Sequence, residues 1–277
     1  MEKYRILIAG CGDVGGALGE LLSREHLVYG LRRRTSQLPS QLQPIEADLS
    51  APCTLINLPA IDILVYCAAP RRGVSGVYTQ TYLDGYQNLL AALPKMPSHV
   101  FFTSSTSVYA QAEHQWVDEQ SPAIADSEKA QIMRAAEHQV LASPCPATVV
   151  RFSGIYGPQR LHLFNQVLAG KALLADPLQY SNRIHRDDCA GVLKHLINLV
   201  AQGNSIAPVY LASDCSPSPI SDVMDWLADE TGTAVEKLKS LRSTTSKRCD
   251  NSLLLKSGYQ FIYPDFRTGY RQIIESL

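Results

Sequence analysis

Three glycines near the start of the chain carry the first chemistry that can be read from residue type and spacing. Gly10, Gly12 and Gly15 follow the apolar run Ile6-Leu7-Ile8-Ala9 in G-x-G-x-x-G spacing, and a helix-compatible stretch through Leu18, Leu21 and Leu22 comes after them. Residues without a Cβ permit a tight turn and let the backbone approach a pyrophosphate, whose charge the free N–H groups at a helix start receive. On this reading Gly10, Gly12, Asp13, Val14 and Gly15 cradle the diphosphate of a dinucleotide. A second apolar run, Leu27-Val28-Tyr29-Gly30-Leu31, arrives at the distance a βαβ unit requires. It is followed by Arg32-Arg33-Arg34, where a carboxylate would hold the ribose hydroxyls of NAD. Guanidinium groups at Arg32 and Arg33 suit the additional 2′-phosphate of NADP instead, so NADP is expected in preference to NAD. Pro44-Ile45-Glu46-Ala47-Asp48-Leu49 reads as a short third strand ending in Asp48, which with Leu49 is placed to meet the adenine, and the small residues Ala68 and Ala69 let the cofactor pass close.

These residues need a scaffold, and the pattern around them supplies one. Ile61 to Ala69 is almost continuously apolar, as expected of a parallel strand covered on both faces. Tyr82, Tyr86, Leu89, Leu90 and Leu93 fall at helical spacing up to Pro94, which reads as packing. His99-Val100-Phe101-Phe102 leads into the hydroxyl cluster Thr103-Ser104-Ser105-Thr106-Ser107, at the strand edge where open α/β sheets bind ligands. A helix from Ser127 to Leu141, a strand from Ala147 to Phe152 and a turn through Pro158 complete the alternation. The fold class is α/β, a Rossmann-type doubly wound parallel sheet with a smaller C-terminal substrate lobe. The expected division is residues 1–158 for the NAD(P)-binding Rossmann domain and 159–277 for the lobe. In the lobe, Ser221 is expected to cap a helix that ends near Gly232.

The formal net charge of −1 carries no signal for nucleic acid, and no apolar run is long enough for a membrane span. The seven cysteines are scattered singly, without C-x-x-C pairs, so buried thiols are expected rather than a disulfide framework or a metal site. The first strand begins within a few residues of Met1, from which a cytoplasmic protein is expected. A homodimer is compatible with the sequence, which does not decide the oligomeric state. No P-loop or H-E-x-x-H occurs, and Gly73-Val74-Ser75-Gly76-Val77 only approaches G-x-S-x-G.

Taken in order, the glycine turn, Thr103-Ser104-Ser105-Thr106-Ser107-Val108-Tyr109, the Arg151–Pro158 segment and Arg183-Ile184-His185-Arg186-Asp187-Asp188 resemble the extended short-chain dehydrogenase/reductase family, often labelled NAD-dependent epimerase/dehydratase. The resemblance covers nearly the whole chain. It departs at Asp13, which stands where those members usually have the second glycine of G-x-x-G-x-x-G.

The resemblance implies that Ser105 orients the reacting oxygen of the substrate, and that Tyr156 and Arg183 line the substrate side. It also calls for a Tyr-x-x-x-Lys pair as general acid/base, and here the tyrosine is missing. The helix reads Ala125-Asp126-Ser127-Glu128-Lys129-Ala130-Gln131-Ile132-Met133-Arg134-Ala135-Ala136-Glu137. If Lys129 takes the lysine position, Ala125 replaces the tyrosine; if Glu137 is matched to the glutamate that follows the lysine, Lys129 falls on the tyrosine position and Met133 on the lysine. Proton transfer in such chemistry is worth typically 10²–10⁴ in rate, so the loss matters. Lys129, Asp126, Tyr78, Tyr109 and Tyr156 are the substitutes to weigh, with helix capping the competing job for Asp126. The expected function is therefore an atypical NAD(P)-binding epimerase/dehydratase- or reductase-like oxidoreductase acting on a hydroxylated, sugar-like small molecule. The alternative is a non-catalytic NAD(P)-binding regulator or redox sensor.

Overall fold

A computed structural model describes residues 3–70, 76–239 and 246–276. The Gly73-Val74-Ser75 part of the near-match to G-x-S-x-G lies outside these residues. The chain runs β1 (Arg5–Ala9), α1 (Asp13–Leu22), β2 (Leu27–Arg32), β3 (Gln43–Glu46), β4 (Ile63–Tyr66), α2 (Val77–Thr79), α3 (Gly85–Ala92), β5 (His99–Ser105), β6 (Trp116–Val117), α4 (Glu128–Leu141) and β7 (Ala147–Phe152). It continues through β8 (Gly154–Tyr156), α5 (His162–Leu168), β9 (Lys171–Leu173), β10 (Tyr180–Ser181), β11 (Arg183–His185), α6 (Arg186–Ala201) and β12 (Val209–Ala212). The last elements are β13 (Ser218–Pro219), α7 (Ile220–Thr231), β14 (Glu236–Leu238), β15 (Arg248–Cys249), α8 (Ser252–Lys256) and α9 (Phe266–Glu275).

The central sheet has the order β12-β7-β5-β4-β1-β2-β3. β1 pairs in parallel with β2 on one side and β4 on the other, and β2–β3 and β4–β5 are parallel too. Helices cover both faces of such strands, which is why Ile6 to Ala9 and Ile63 to Tyr66 are wholly buried and continuously apolar. The winding direction reverses between β2 and β4, so the carboxyl end of β1 is the switch point where ligands of this architecture bind. β3 is the edge strand, where Pro44 does no harm to the ladder.

Between α2 and α3 the helix widens into a π-turn at Gln80–Asp84. The buried Tyr66 hydroxyl donates to the Thr81 carbonyl there, and Gly85 lets the helix close on Tyr66 and Leu49, since a Cβ would stand 2.8 Å from the Tyr66 hydroxyl. Tyr82 and Tyr86 are buried, as their spacing implied.

Two compact units emerge, and they interleave along the chain rather than meeting at residue 158. The first comprises 1–108, 125–151 and 190–210; the second comprises 109–124, 152–189 and 211–277. The later part of α6 and the start of β12 return to the first unit, which a single cut could not express. The second unit has its own core, built from Tyr156, Phe164, Val167, Leu227, Phe266 and Tyr270.

Local departures from expectation have local causes. α4 starts at Glu128, and Ser127 rather than Asp126 caps it, accepting from the Ala130 N–H. α7 starts two residues earlier than its serine suggested: Pro219 occupies the cap and Ser221 lies in the first turn, donating to Asp222. Gly232, at φ 63°, ends that helix as expected. All seven cysteines are free, but Cys53 and Cys215 are exposed, a correction to the expectation of buried thiols. No described helix is long and apolar enough to cross a membrane.

Candidate cofactor and catalytic site

The glycine turn sits at the carboxyl end of β1. Gly10 has φ 81°, and a Cβ there would lie 2.3 Å from the Ala68 Cα, so both its conformation and its contact with the end of β4 require glycine. The Gly10 and Cys11 N–H groups donate to the Leu31 carbonyl, at 3.0 and 3.1 Å, which pins the turn against the end of β2. At Gly15 a Cβ would come within 3.0 Å of the Ile8 side chain, so this glycine brings α1 down onto its strand. Gly12 differs from both. Its Cβ would meet nothing nearer than the Gly10 carbonyl at 3.9 Å, so the fold leaves open space there.

No side chain caps α1, whereas Ser127 and Asp265 cap α4 and α9. The first N–H groups of a helix lack intrahelical acceptors and sit at the positive end of its dipole. An uncapped helix start above an open glycine fits a dinucleotide diphosphate. Asp13, in the first turn, and Val14 stand with the three glycines at that end, as the spacing implied.

Arg32 ends β2, beside the turn that Leu31 anchors. Its guanidinium donates to the Gln37 side chain at 2.8 Å, and Arg33 and Arg34 are exposed. Among the described residues no carboxylate pairs with any of the three; the neighbouring Glu46 accepts from Thr35 instead, at 3.1 Å. Burial pushes the Cys11 thiol up to about 12, with Arg32 pulling the other way, so the guanidinium is felt at the glycine turn itself. Asp48 lies just beyond β3 and closes a turn, its carboxylate accepting from Ser50 N–H and hydroxyl at 2.9 and 2.7 Å. Leu49 is tied to α3 through Asn88 at 2.9 Å. Ala68 is buried against Gly10 and Ala69 is exposed beyond it.

At the end of β5 adjacent serines face opposite ways, as strand periodicity demands. Ser105 is partly exposed; its Oγ accepts from the Ser107 N–H at 3.1 Å and its own proton has no described acceptor. Ser104 points inward and donates to Glu137 on α4. That carboxylate also receives two bonds from Arg151 on β7, Nε at 3.0 Å and a terminal nitrogen at 2.6 Å, in a pair whose side chains are 6 % and 9 % exposed. Glu137 thereby locks α4 to β5 and β7.

One turn up the same face Met133 is buried, and one turn further Lys129 is exposed, its ammonium 5.2 Å from the centre of the Tyr78 ring on α2. Ala125 lies before the helix, its N–H bonded to the Val108 carbonyl at 3.0 Å. The Ser104–Glu137–Arg151 anchor escaped the sequence reading as a site feature. Its signal was the inward place of Ser104 in the strand alternation.

In the second unit Arg183 is 5 % exposed, its guanidinium 5.5 Å from the Phe266 ring and bonded to the Ser181 hydroxyl. Nearby Asp214 is wholly buried; burial pushes its carboxyl up to about 7 against the opposing pull of Arg183. Tyr156 packs edge-on to His185 at 5.2 Å and against Tyr270 at 4.6 Å, and burial drives its phenol up. Only a glycine fits opposite it at Gly269, where a Cβ would lie 1.9 Å from the hydroxyl. This placement makes Tyr156 a core residue rather than the substrate contact expected of it, and His185 is packed, as its context implied.

Comparison with known proteins agrees with this geometry. The model of the NAD dependent epimerase/dehydratase family matches residues 6–206. A solved structure from Methylobacillus flagellatus, assigned as an NAD-dependent epimerase/dehydratase, is 37% identical, with 99% of each chain covered and a TM-score of 0.85. Protein YeeZ from Escherichia coli strain K12 is 28% identical over 279 residues, covering 94% of this chain and 97% of its own. UDP-glucuronic acid 4-epimerase from Bacillus cereus, solved with UDP-glucuronic acid and NAD, shares the fold at a TM-score of 0.78 and 19% identity, covering 99% of this chain and all of its own.

Proposed function

This chain belongs to the NAD-dependent epimerase/dehydratase family, and from that premise we propose that it binds NADP in preference to NAD and acts on a hydroxylated, sugar-like small molecule. The observation that carries the cofactor half is the uncapped start of α1 above open Gly12, with Arg32 and exposed Arg33 next to it, neither paired with a carboxylate among the described residues. Such a cradle offers N–H donors to a diphosphate, and the guanidinium groups offer forked donors to a 2′-phosphate. NADP is therefore expected to raise the melting temperature more than NAD at equal concentration, because the tighter ligand adds more to the stability of the folded state. Equal or reversed shifts would remove the role given to Arg32 and Arg33.

For the substrate half, Ser105 orients the reacting hydroxyl with a proton that has no described acceptor. The sugar epimerase from Bacillus cereus supports this substrate class. Ser105→Ala is expected to leave dinucleotide affinity nearly intact while lowering turnover by about 10²-fold, the usual cost of removing one orienting donor. Turnover would be found by screening hydroxylated metabolites for a change in nicotinamide absorbance, and a fully active variant would exclude Ser105.

A regulator without turnover is the second reading, favoured by the absence of a phenol on α4, where Lys129 and Met133 hold the key positions. Its redox-sensing form is poorly served by the thiols beside the turn. Burial pushes Cys11 up to about 12 and Cys67 higher still, so neither readily forms the reactive thiolate.

A further inference from the structure

We propose that Tyr78, brought from α2 to face Lys129 of α4, is the proton acceptor and donor that α4 itself lacks. The inference rests on the cofactor-dependent reading above and deepens it by naming the missing catalytic group. Tyr78 is half-buried. The Lys129 ammonium lies 5.2 Å from its ring centre, inside the range of a cation–π contact. Both residues belong to the first unit. The segment ahead of α4 is bonded to Val108 through Ala125, so α4 begins at the carboxyl end of β5, where Ser105 stands. The π-turn that follows α2 is pinned by the Tyr66 hydroxyl bonded to the Thr81 carbonyl. Single π-turns inside helices are frequent at functional sites.

Other groups fit the task less well. Tyr66, Tyr82 and Tyr86 are buried, with their phenols pushed up by burial, Tyr86 to about 12. Tyr109 is buried with its hydroxyl donating to the Asp118 carbonyl, and Tyr156 is core. Asp126 is exposed ahead of the Ser127 cap.

When bound, the dinucleotide supplies the hydride acceptor. In oxidation the substrate C–H bond breaks with its electron pair leaving as hydride, the hydroxyl proton passes to the Tyr78 oxygen, and a carbonyl and a neutral phenol result; reduction runs the same transfers backwards. Ser105 holds the oxygen throughout. The Lys129 ammonium stabilises the negative charge on the phenol oxygen by Coulomb attraction.

Because that oxygen must be ionised to accept a proton, binding of oxidised NADP is expected to release protons from Tyr78. Calorimetric titration with oxidised NADP in two buffers of different ionisation enthalpy counts them. Wild type is expected to release protons on binding the cofactor. Tyr78→Phe is expected to release none while binding the cofactor within about twofold of wild type. Lys129→Met, an exposed change that leaves the core untouched, is expected to reduce the count, and Tyr82→Phe to leave it unchanged. A count unchanged in Tyr78→Phe and Lys129→Met overturns this inference while leaving cofactor binding intact; no binding by wild type overturns both.

Discussion

Glu137→Ala is expected to destabilise the protein by about 3–5 kcal/mol, the cost of leaving one member of a buried ion pair unpaired. Arg151 would keep its charge inside the protein after losing the Glu137 carboxylate, and Ser104 would lose its acceptor. Urea denaturation monitored by circular dichroism measures the change. A cost below about 1 kcal/mol would mean that the pair is solvated, contrary to its burial. Replacing both partners, Glu137→Met with Arg151→Met, is expected to recover most of the loss, because a well-packed apolar pair needs no counter-charge. The consequence for function runs through the strand: Ser104 and Ser105 are consecutive, so an end of β5 freed from α4 holds Ser105 less firmly.

The glycine turn separates folding from binding residue by residue. Gly12→Leu is expected to weaken dinucleotide binding on the order of 100-fold or more, since the side chain fills the space where phosphate oxygens reach charge-assisted N–H bonds. The fold is expected to survive with about 1 kcal/mol lost at the helix start, because a Cβ at Gly12 meets no atom nearer than 3.9 Å. Gly10→Ala is the contrasting case: the backbone at φ 81° and the Ala68 Cα at 2.3 Å leave no room, and the turn itself should fail. Melting temperature without ligand and calorimetric affinity with it distinguish the two. Undiminished affinity in Gly12→Leu would dissociate the turn from cofactor binding.

Much of the scaffold was legible in the sequence. β1, β4, β5 and β7 come from apolar runs that parallel strands buried on both faces require, and α4 was bounded correctly at Leu141 with Ser127 before it. Errors cluster where a short polar side chain had more than one use. Ser221 could cap α7 and instead follows a proline that does so, and Asp126 yields the cap of α4 to Ser127. The strand after Pro44 ends at Glu46, short of Asp48, because Asp48 turns the chain with Ser50. Tyr156, in a glycine-bearing turn, was expected on the substrate side, and packing placed it inside the second core.

By itself the sequence determined the strand–turn–helix that opens the chain: the apolar run of β1, a glycine's access to positive φ and the 3.6-residue turn of α1 are properties of a few consecutive residues, and all three coincide between Ile6 and Leu22. It also determined what α4 lacks, since a missing tyrosine is visible in any register. Which side chains α4 brings together was decided only by tertiary structure. The Glu137–Arg151 pair joins a helix to a strand, and Lys129 meets Tyr78 across two helices separated by β5. Such contacts arise from how elements pack, and no spacing along the chain encodes them.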